Sequence, residues 1–311
     1  MRILLVGGLG FIGKHIIRTL TDSNVLLVFE NAETATRNQG FAKSHGLRVE
    51  VGDITNGARA KDVALLEKPD VVIHLAALTG IAKCNQNPSL AFATNVLGTY
   101  NVAMACMAAK SKLIFISSRE VYGETASGQT REDDPLVPNN IYGLTKMLGE
   151  KLVLWAASRS GLDYTILRLT NVYGPEGEQY NVQAMIRKAT TEGRIQILGG
   201  SQRMNLIYVE DVAEVVRKCL NDPSASRQTF NVGSKDDMPI EEVVCRLISA
   251  LNIPVEIVQE PMRTGETLNF CPNLDRIERV LEWHARTTFD EGLKRTIEWH
   301  KERRLQDPNL D

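Results

Sequence analysis

The sequence has few cysteines, little net charge and no long uninterrupted apolar run. Its five cysteines never form a Cys-x-x-Cys pair, so we expect neither a disulfide framework nor a zinc site, and no other metal site. A formal net charge of −2 predicts no basic surface for nucleic acid or an anionic membrane. The apolar start is too short for a signal peptide, and no stretch is expected to span a bilayer. A reducing cytoplasm is therefore the expected location.

The remaining composition is typical of a globular protein. With 311 residues, 43% hydrophobic and 24% charged, the chain can bury a substantial core in one large domain or two. Predicted strands and helices alternate along it, without a repeat of about 20–50 residues. This alternation predicts an α/β fold.

A glycine-rich turn follows the first predicted strand. Residues 2–6 are aliphatic and lead directly into residues 7–13, which read Gly-Gly-Leu-Gly-Phe-Ile-Gly. Gly7 would allow a tight turn, Gly10 would let backbone N–H groups approach a pyrophosphate, and Gly13 would permit close helix–strand packing. A helix starting near Gly10 would direct the positive end of its dipole at the phosphates. The stretch predicts a dinucleotide site.

An acidic residue ends the second predicted strand. Residues 25–29 read as a buried strand and place Glu30 about twenty positions after the glycine loop. A carboxylate there can accept hydrogen bonds from an adenosine ribose 2′-OH and would repel a 2′-phosphate. The alternative is a solvated charge that merely follows a strand. We predict NAD, and not NADP, as the cofactor.

A tyrosine and a lysine lie four residues apart near the head of a predicted helix. At this spacing Tyr142 and Lys146 share one helical face. Just upstream, a predicted strand at residues 113–116 ends in Ser117 and Ser118. Of the seven tyrosines, only Tyr142 precedes a lysine at this spacing. Such a pair is usually structural when it occurs alone, but its place after a dinucleotide loop and a Ser-Ser strand end predicts a catalytic role.

In its ordered motifs the sequence resembles the extended short-chain dehydrogenase/reductases, and among them the NAD-dependent nucleotide-sugar epimerase/dehydratase family that includes UDP-glucose 4-epimerase. The resemblance covers nearly the whole chain. It implies a doubly wound Rossmann sheet, largely parallel, with a smaller, discontinuous C-terminal substrate lobe. The residues that it implies for NAD binding are Gly7, Gly10, Phe11, Ile12, Gly13, Glu30, Asp53, Ile54, Leu75, Ala76, Ala77, Asn95, Tyr142 and Lys146.

The resemblance also implies that Ser118, Tyr142 and Lys146 are catalytic. A free phenol has a pKa near 10, and the ammonium of Lys146 together with a positive nicotinamide would favour the phenolate. Tyr142 could then remove a proton from a sugar hydroxyl while hydride leaves the same carbon. Ser118 would hydrogen-bond to the reacting oxygen, and Lys146 would also hold the nicotinamide ribose.

Four residues are implied on the substrate side. Asn171 lies in a stretch that resembles Arg-x-x-Asn-Val-Tyr-Gly-Pro, Asn181 begins a predicted helix, and Arg263 resembles the family's second phosphate-side arginine. The first such arginine is replaced by Met204, and Arg203 stands one residue early. Because a one-residue shift on a strand points a side chain to the opposite face, Arg203 can substitute only if the loop bulges.

Glu120 bears on which reaction is catalysed, and it is a further candidate catalytic residue. In the resembled family, simple 4-epimerases carry a small or hydroxyl residue there, whereas dehydratases and decarboxylases carry a glutamate. The hexose dehydratases also place an aspartic acid just before it, a role that Arg119 cannot fill. Arg119 could orient a sugar carboxylate or pair with Glu120.

We predict a C4 epimerase of a nucleotide-diphosphate sugar that oxidises the sugar transiently and re-reduces it without stereospecificity. The alternatives within the family are a 4,6-dehydratase, a decarboxylase and a 4-ketoreductase. A non-catalytic NAD(H)-binding regulator on the same fold is an alternative of a different class.

The resemblance predicts how the chain is divided. Residues 1–170, with a returning segment near 205–233, would form the NAD-binding domain. Residues 171–204 and 234–311 would form the substrate lobe. A helix predicted from Pro88 to Lys110 is rich in Ala and Met, and with the next helix it would form the four-helix bundle of a homodimer.

Overall fold

The structure, a computed structural model, describes residues 1–20, 25–125, 128–177, 181–262 and 264–306. Strands and helices alternate through most of these residues, as predicted. The strands are β1 (Arg2–Val6), β2 (Val25–Glu30), β3 (Arg48–Val51), β4 (Val71–His74), β5 (Lys112–Ser118), β6 (Tyr164–Leu169), β7 (Asn171–Tyr173), β8 (Arg194–Leu198), β9 (Arg203–Tyr208), β10 (Gln228–Val232), β11 (Asp237–Pro239) and β12 (Glu256–Glu260).

The helices lie mainly between consecutive strands of the first half of the chain. They are α1 (Phe11–Leu20), α2 (Ala32–Arg37), α3 (Gln39–Ser44), α4 (Gly57–Glu67), α5 (Ile81–Gln86), α6 (Pro88–Phe92), α7 (Gly98–Ala109), α8 (Ile141–Ser160), α9 (Asn181–Glu192), α10 (Val209–Asn221), α11 (Ile240–Leu251), α12 (Asp275–Leu281) and α13 (Phe289–Gln306). Short 3-10 turns cover Arg119–Val121 and Pro223–Ala225.

Seven strands form one parallel sheet in the order β10-β6-β5-β4-β1-β2-β3. The chain runs outward from β1 to β3, returns to place β4 beside β1, and then runs outward in the other direction. A ligand crevice is expected where the strand order reverses, at the carboxyl ends of β1 and β4. The predicted doubly wound Rossmann sheet is confirmed.

Strand β1 supplies apolar residues to both faces of this sheet. Ile3 and Leu5 belong to the core that α1 and α10 cover, whereas Leu4 and Val6 belong to the core under α4, α7 and α8. All four are buried. A strand covered on both faces reads as a continuous apolar run, which is why the sequence of β1 predicts its bounds correctly.

Beyond β6 the chain leaves the sheet and begins a second core. Thr170 separates β6 from β7, which joins a three-stranded sheet in the order β11-β9-β7. A parallel pair of β8 and β12 and the helices α9, α11 and α13 complete this smaller body. The chain then returns, because Ile277 of α12 and Trp283, which follows that helix, pack into the core of the large sheet. The exact division into two lobes stays a prediction.

The expectation that no stretch could span a bilayer is wrong for one helical stretch. Pro88–Ala109 is 22 residues long and apolar enough to cross a membrane by length and composition. It comprises α6, a π-helical turn at Ala93–Leu97, and α7. Half of it is buried inside the protein, where α7 packs against α4 and α8, so its apolar character is that of a core helix.

The packing of α1 depends on the absence of a side chain at Gly13. A β-carbon there would clash with the carbonyl oxygen of Gly8. We expect Gly13→Ala to lower the free energy of unfolding by about 1–3 kcal/mol, because the backbone must shift, as measured by urea denaturation. Gly40→Ala is the matched control, since a β-carbon in α3 meets nothing within 4 Å and should be neutral or slightly stabilising. Equal stability of the two variants would contradict the expectation.

Candidate active site

A cleft of about 1190 Å³ opens at the carboxyl edge of the large sheet. Its lining includes the residues at the ends of five neighbouring strands, namely Gly7, Glu30, Leu75, Ser118 and Thr170. The cleft continues onto β7, β9 and α9 of the smaller body. It therefore lies where the strand order predicts a ligand crevice.

The glycine loop forms one end of the cleft. Gly7 has a φ of +80°, and a β-carbon on it would stand 2.6 Å from the backbone nitrogen of Ala76. Gly10 lines the cleft and accepts the first backbone hydrogen bond of α1, from the N–H of Lys14. The space beside Gly10 is open, since a β-carbon would meet only the Gly7 carbonyl oxygen, at 3.5 Å. The open space and the helix N-terminus together fit a pyrophosphate.

Glu30 stands beside this loop and is buried. Its Oε2 accepts a hydrogen bond from the N–H of Leu9 at 3.2 Å, and its Oε1 accepts from the backbone and side-chain nitrogens of Asn31 at 3.1 and 2.9 Å. Burial raises the pKa of the Glu30 carboxyl above its ordinary value, although these hydrogen bonds oppose the shift. The nearby Arg37 is paired with Glu33. This arrangement fits an adenosine ribose with a free 2′-OH.

The other residues predicted to bind cofactor divide into two groups. One group lines the cleft: Gly13, Phe11, Ile12, Asp53, Ile54, Leu75, Ala76 and Ala77. Asn95 instead lies behind the wall, where its side chain bonds the N–H and carbonyl of Leu78 at 2.7 and 3.0 Å. Its Nδ2 also donates to the hydroxyl of Thr145 at 2.9 Å. Asn95 therefore joins the wall of the cleft to helix α8.

Ser118, Tyr142 and Lys146 all line the cleft. Ser118 ends β5, and its Oγ accepts from the N–H of Glu120 at 3.3 Å. Tyr142 and Lys146 share a face of α8. The structure thus brings together three residues that are up to 28 positions apart in the sequence.

Two neighbours that the sequence reasoning missed set the position of α8. Asn140 caps the helix, because its Oδ1 accepts from the N–H of Gly143 at 2.8 Å. A β-carbon on Gly143 would clash with the backbone oxygen of Glu120, so the first turn of α8 rests against the 3-10 turn that follows Ser118. The sequence did offer signals for both contacts, namely an asparagine at the N-cap position of the helix and a glycine just after the tyrosine.

Lys146 is buried, with 4% of its surface exposed. Its Nζ lies 4.4 Å from the centroid of the Phe115 ring. Burial lowers the pKa of Lys146 to about 8, and the carboxylate of Glu150 opposes that shift. Burial and the charge of Lys146 lower the pKa of His74 to about 3, so His74 is neutral at ordinary pH. With a pKa of about 8, Lys146 carries its charge at neutral pH, and it lines the same cleft as Tyr142.

Glu120 lines the cleft, but both of its carboxylate oxygens are engaged. Arg119 approaches Oε1 at 2.9 Å, and Nδ2 of Asn140 donates to Oε2 at 2.9 Å. The same Nδ2 donates to the carbonyl of Gly265 at 2.9 Å. The guanidinium of Arg119 also stacks 5.4 Å from the Phe270 ring centroid. Glu120 therefore takes part in a polar cluster that joins the turn after Ser118, the start of α8 and the segment that follows β12.

The structure places two of the four residues predicted on the substrate side, and their roles stay predictions. Asn171 lines the cleft, and its Nδ2 donates to the carbonyl of Asn205 at 3.3 Å. Arg203 pairs with Asp237, with Nε 2.7 Å from Oδ2. Arg203 also lines the cleft, and the β9–β11 ladder keeps a regular antiparallel register from Arg203 to Asn205. Its role toward the substrate stays a prediction. The side chain of Asn181 and all of Arg263 lie outside the described residues.

Comparison with known proteins identifies the family. The model of the NAD dependent epimerase/dehydratase family matches residues 3–233. The chain belongs to this family. It is 30% identical to a protein of Methanocaldococcus jannaschii named as a candidate UDP-glucose 4-epimerase, over 96% of this chain and 98% of that one. It is 28% identical to the UDP-N-acetyl-alpha-D-glucosaminuronate decarboxylase of Bacillus cytotoxicus, over 97% and 98% of the two chains.

A solved structure agrees with the sequence relatives. The UDP-glucose 4-epimerase of Thermotoga maritima, determined with UDP-glucose, superposes with a TM-score of 0.88 at 26% identity over 97% of this chain and 99% of that chain. The predicted family, the Rossmann fold and the NAD cofactor are confirmed, and the protein is an enzyme of the NAD-dependent epimerase/dehydratase family.

The residues of the cleft suit redox chemistry at a carbinol carbon. Bound NAD⁺ would accept a hydride and return it. Tyr142 can take the proton of a hydroxyl, and the charge of Lys146 favours its phenolate form. Ser118 can hydrogen-bond to the same oxygen. The roles of these three residues stay predictions.

Glu30 should make the enzyme selective for NAD⁺. We expect NAD⁺ to bind at least about tenfold more tightly than NADP⁺, because hydrogen bonds to a charged group contribute about 1.5–3 kcal/mol and a 2′-phosphate would be repelled. Titration calorimetry with both cofactors measures the ratio. Glu30→Gln should reduce it, whereas Glu50→Gln, on β3 and outside the lining of the cleft, should not. Equal affinities of the unaltered enzyme for NAD⁺ and NADP⁺ would contradict the prediction.

Proposed function

We propose that the enzyme is a C4 epimerase of a nucleotide-diphosphate sugar. The observation that carries this proposal is the engagement of Glu120 by Arg119 and Asn140. A dehydratase needs a free carboxylate to remove the C5 proton and an acid to protonate the leaving hydroxyl. Here the carboxylate is held from both sides, and its neighbour is an arginine, which has no proton to give at neutral pH.

The remaining groups suffice for epimerisation. Tyr142 accepts the proton of the C4 hydroxyl as the hydride leaves C4. After the ketone has turned over in the site, Tyr142 returns the proton to the C4 oxygen. Ser118 holds the C4 oxygen in both directions. Lys146 keeps the phenolate form of the tyrosine accessible. Relatives that carry the names of a UDP-glucose 4-epimerase and a nucleotide-uronate decarboxylase support a nucleotide sugar as substrate.

A 4,6-dehydratase is the second candidate, because Glu120 lines the cleft beside Ser118 and Tyr142. If substrate displaced Arg119, the carboxylate could act as the C5 base. A decarboxylase, a 4-ketoreductase and a non-catalytic NAD(H)-binding regulator are further alternatives that product analysis separates.

The proposal is tested by NMR analysis of the products that the enzyme forms from UDP-, dTDP- and GDP-hexoses. We expect two C4 epimers and no loss of water, and we expect Glu120→Gln to bind NAD⁺ and still epimerise. Tyr142→Phe is the catalytic control and should lose about 10²–10⁴-fold in turnover while still binding NAD⁺, because a general base is removed.

Each other product points to one alternative. A 4-keto-6-deoxy sugar that disappears with Glu120→Gln would make Glu120 the C5 base and the enzyme a dehydratase. Carbon dioxide from a nucleotide-uronic acid would indicate a decarboxylase. Net consumption of NADH with a 4-keto sugar would indicate a ketoreductase. NAD binding without turnover of any sugar would favour the regulator.

We also propose a homodimer, in which two adjacent helices of each copy form a four-helix bundle. Large apolar side chains are exposed on these helices, including Leu90 at 53%, Leu97 at 47% and Trp155 at 44%. Since α8 packs against both α6 and the π-helical turn, the exposed residues can form one patch, which a second copy would cover. A cytoplasmic location remains our expectation, and the five cysteines are free.

Light scattering tests the dimer. The unaltered protein should have twice the chain mass of 34.5 kDa at micromolar concentration. Leu97→Glu should shift it toward the monomer, since a buried carboxylate is costly. Leu66→Glu is the matched control, because Leu66 is 73% exposed on α4, away from the patch. A monomeric wild type, or equal masses for the two variants, would refute this arrangement.

A further inference from the structure

A buried ion pair lies directly behind the catalytic residues. The Glu150 carboxylate on α8 receives three hydrogen bonds from Arg168 on β6, two from Nε at 3.0 and 3.2 Å and one from a terminal nitrogen at 2.7 Å. Ser117, the neighbour of Ser118, donates to the same carboxylate at 2.5 Å. Glu150 is 1% exposed and Arg168 is 6% exposed. The carboxylate is thus held in one position by two strands.

The far side of Arg168 continues this polar network. Another of its nitrogens donates to the hydroxyl of Tyr122 at 2.7 Å and to the carbonyl of Glu132 at 2.8 Å. The hydroxyl of Tyr122 donates to Oδ1 of Asn231 at 2.7 Å. All of these residues are buried, and the catalytic chemistry uses none of them. Such a network is costly to bury unless its members are all satisfied.

The network ends one helical turn from the catalytic lysine. Glu150 follows Lys146 by four residues on α8, so the two side chains lie on the same face of the helix. A buried ammonium loses its hydration and favours the neutral amine unless nearby groups stabilise the charge. Lys146 therefore needs a fixed negative partner or an aromatic face to remain a cation.

The groups that surround Lys146 leave Glu150 as the main charge that stabilises it. The Phe115 ring lies beneath the ammonium. His74 on β4 is neutral, and Cys84 on α5 is a thiol, since burial raises its pKa to about 11. Tyr142 and Glu120 share the cleft, but Glu120 lies on the 3-10 turn after β5 and not on the face of α8 that carries Lys146. Of the carboxylates, that of Glu150 raises the pKa of Lys146 most.

We propose that Glu150 is a positioning residue of the reaction: fixed by Arg168 and Ser117, its carboxylate keeps the buried Lys146 protonated, so that Tyr142 can act as a base. This inference builds on the proposed chemistry of Tyr142. Its central claim, the charge state of Lys146, can be measured without any sugar.

Lysines labelled with ¹³C at Cε report that charge state directly by NMR. The signal of Lys146 is the one that disappears in Lys146→Arg, and its shift is followed from about pH 6 to pH 11. In the wild type it should titrate near pH 8. In Glu150→Gln the midpoint should fall by about one pH unit or more, because the neutral amine gains when the carboxylate charge is removed.

Two further variants separate charge from structure. Ser117→Ala removes one hydrogen bond and keeps the carboxylate, so the midpoint should stay near the wild-type value. Glu150→Gln combined with Arg168→Met removes the carboxylate without leaving an unpaired buried guanidinium. Its midpoint should also fall, but by less than in Glu150→Gln, because the opposing charge of Arg168 is removed as well. A wild-type midpoint in a folded variant that lacks the Glu150 carboxylate overturns the proposal.

Turnover provides the second readout. A lysine that must be protonated supports activity below its pKa, so activity should fall as pH rises through that value. In the two variants that lack the Glu150 carboxylate, the alkaline limb of the pH–activity profile should move to lower pH by as much as the NMR midpoint moves. It should stay in place for Ser117→Ala. If no sugar turns over, the proposed function fails while the NMR result still decides the role of Glu150.

Discussion

The buried charge of Lys146 is the constraint on which the active site depends. An ammonium with 4% of its surface exposed needs support from groups that the fold must hold still. The Phe115 ring comes from β5, and the carboxylate of Glu150 comes from the next turn of α8. Arg168 holds that carboxylate from β6. Because β5 and β6 are adjacent parallel strands, the sheet itself fixes the distance between these groups.

The start of α8 joins the candidate catalytic residues to the rest of the molecule. Asn140 caps the helix, holds one oxygen of Glu120 and donates to the carbonyl of Gly265. One amide thus connects the helix that carries Tyr142, the turn after Ser118 and a loop of the smaller body. A substrate that moved this loop would also change the surroundings of Glu120. The surroundings of Glu120 therefore depend on a few hydrogen bonds.

Much of the fold and of the cofactor site could be predicted from local patterns. The bounds of β1 and β3 and the glycine loop follow from short stretches in which neighbouring residues decide the conformation. Tyr142 and Lys146 share a face because helical periodicity requires it. The environment of Arg203 could not be predicted in this way, since its partner Asp237 lies 34 residues away and only strand pairing brings the two together.

The sequence by itself determined the parallel α/β sheet and the NAD cofactor, and it located a glycine loop, a serine, a tyrosine and a lysine as candidate site residues. Periodicity and turn chemistry carry this information within a few residues of each position. Only the tertiary structure decided that Glu120 is held by Arg119 and Asn140, and that Glu150 faces Arg168 behind Lys146. Partners such as Glu120 and Asn140 are 20 residues apart, and no local pattern encodes which side chains meet when separate strands and helices pack.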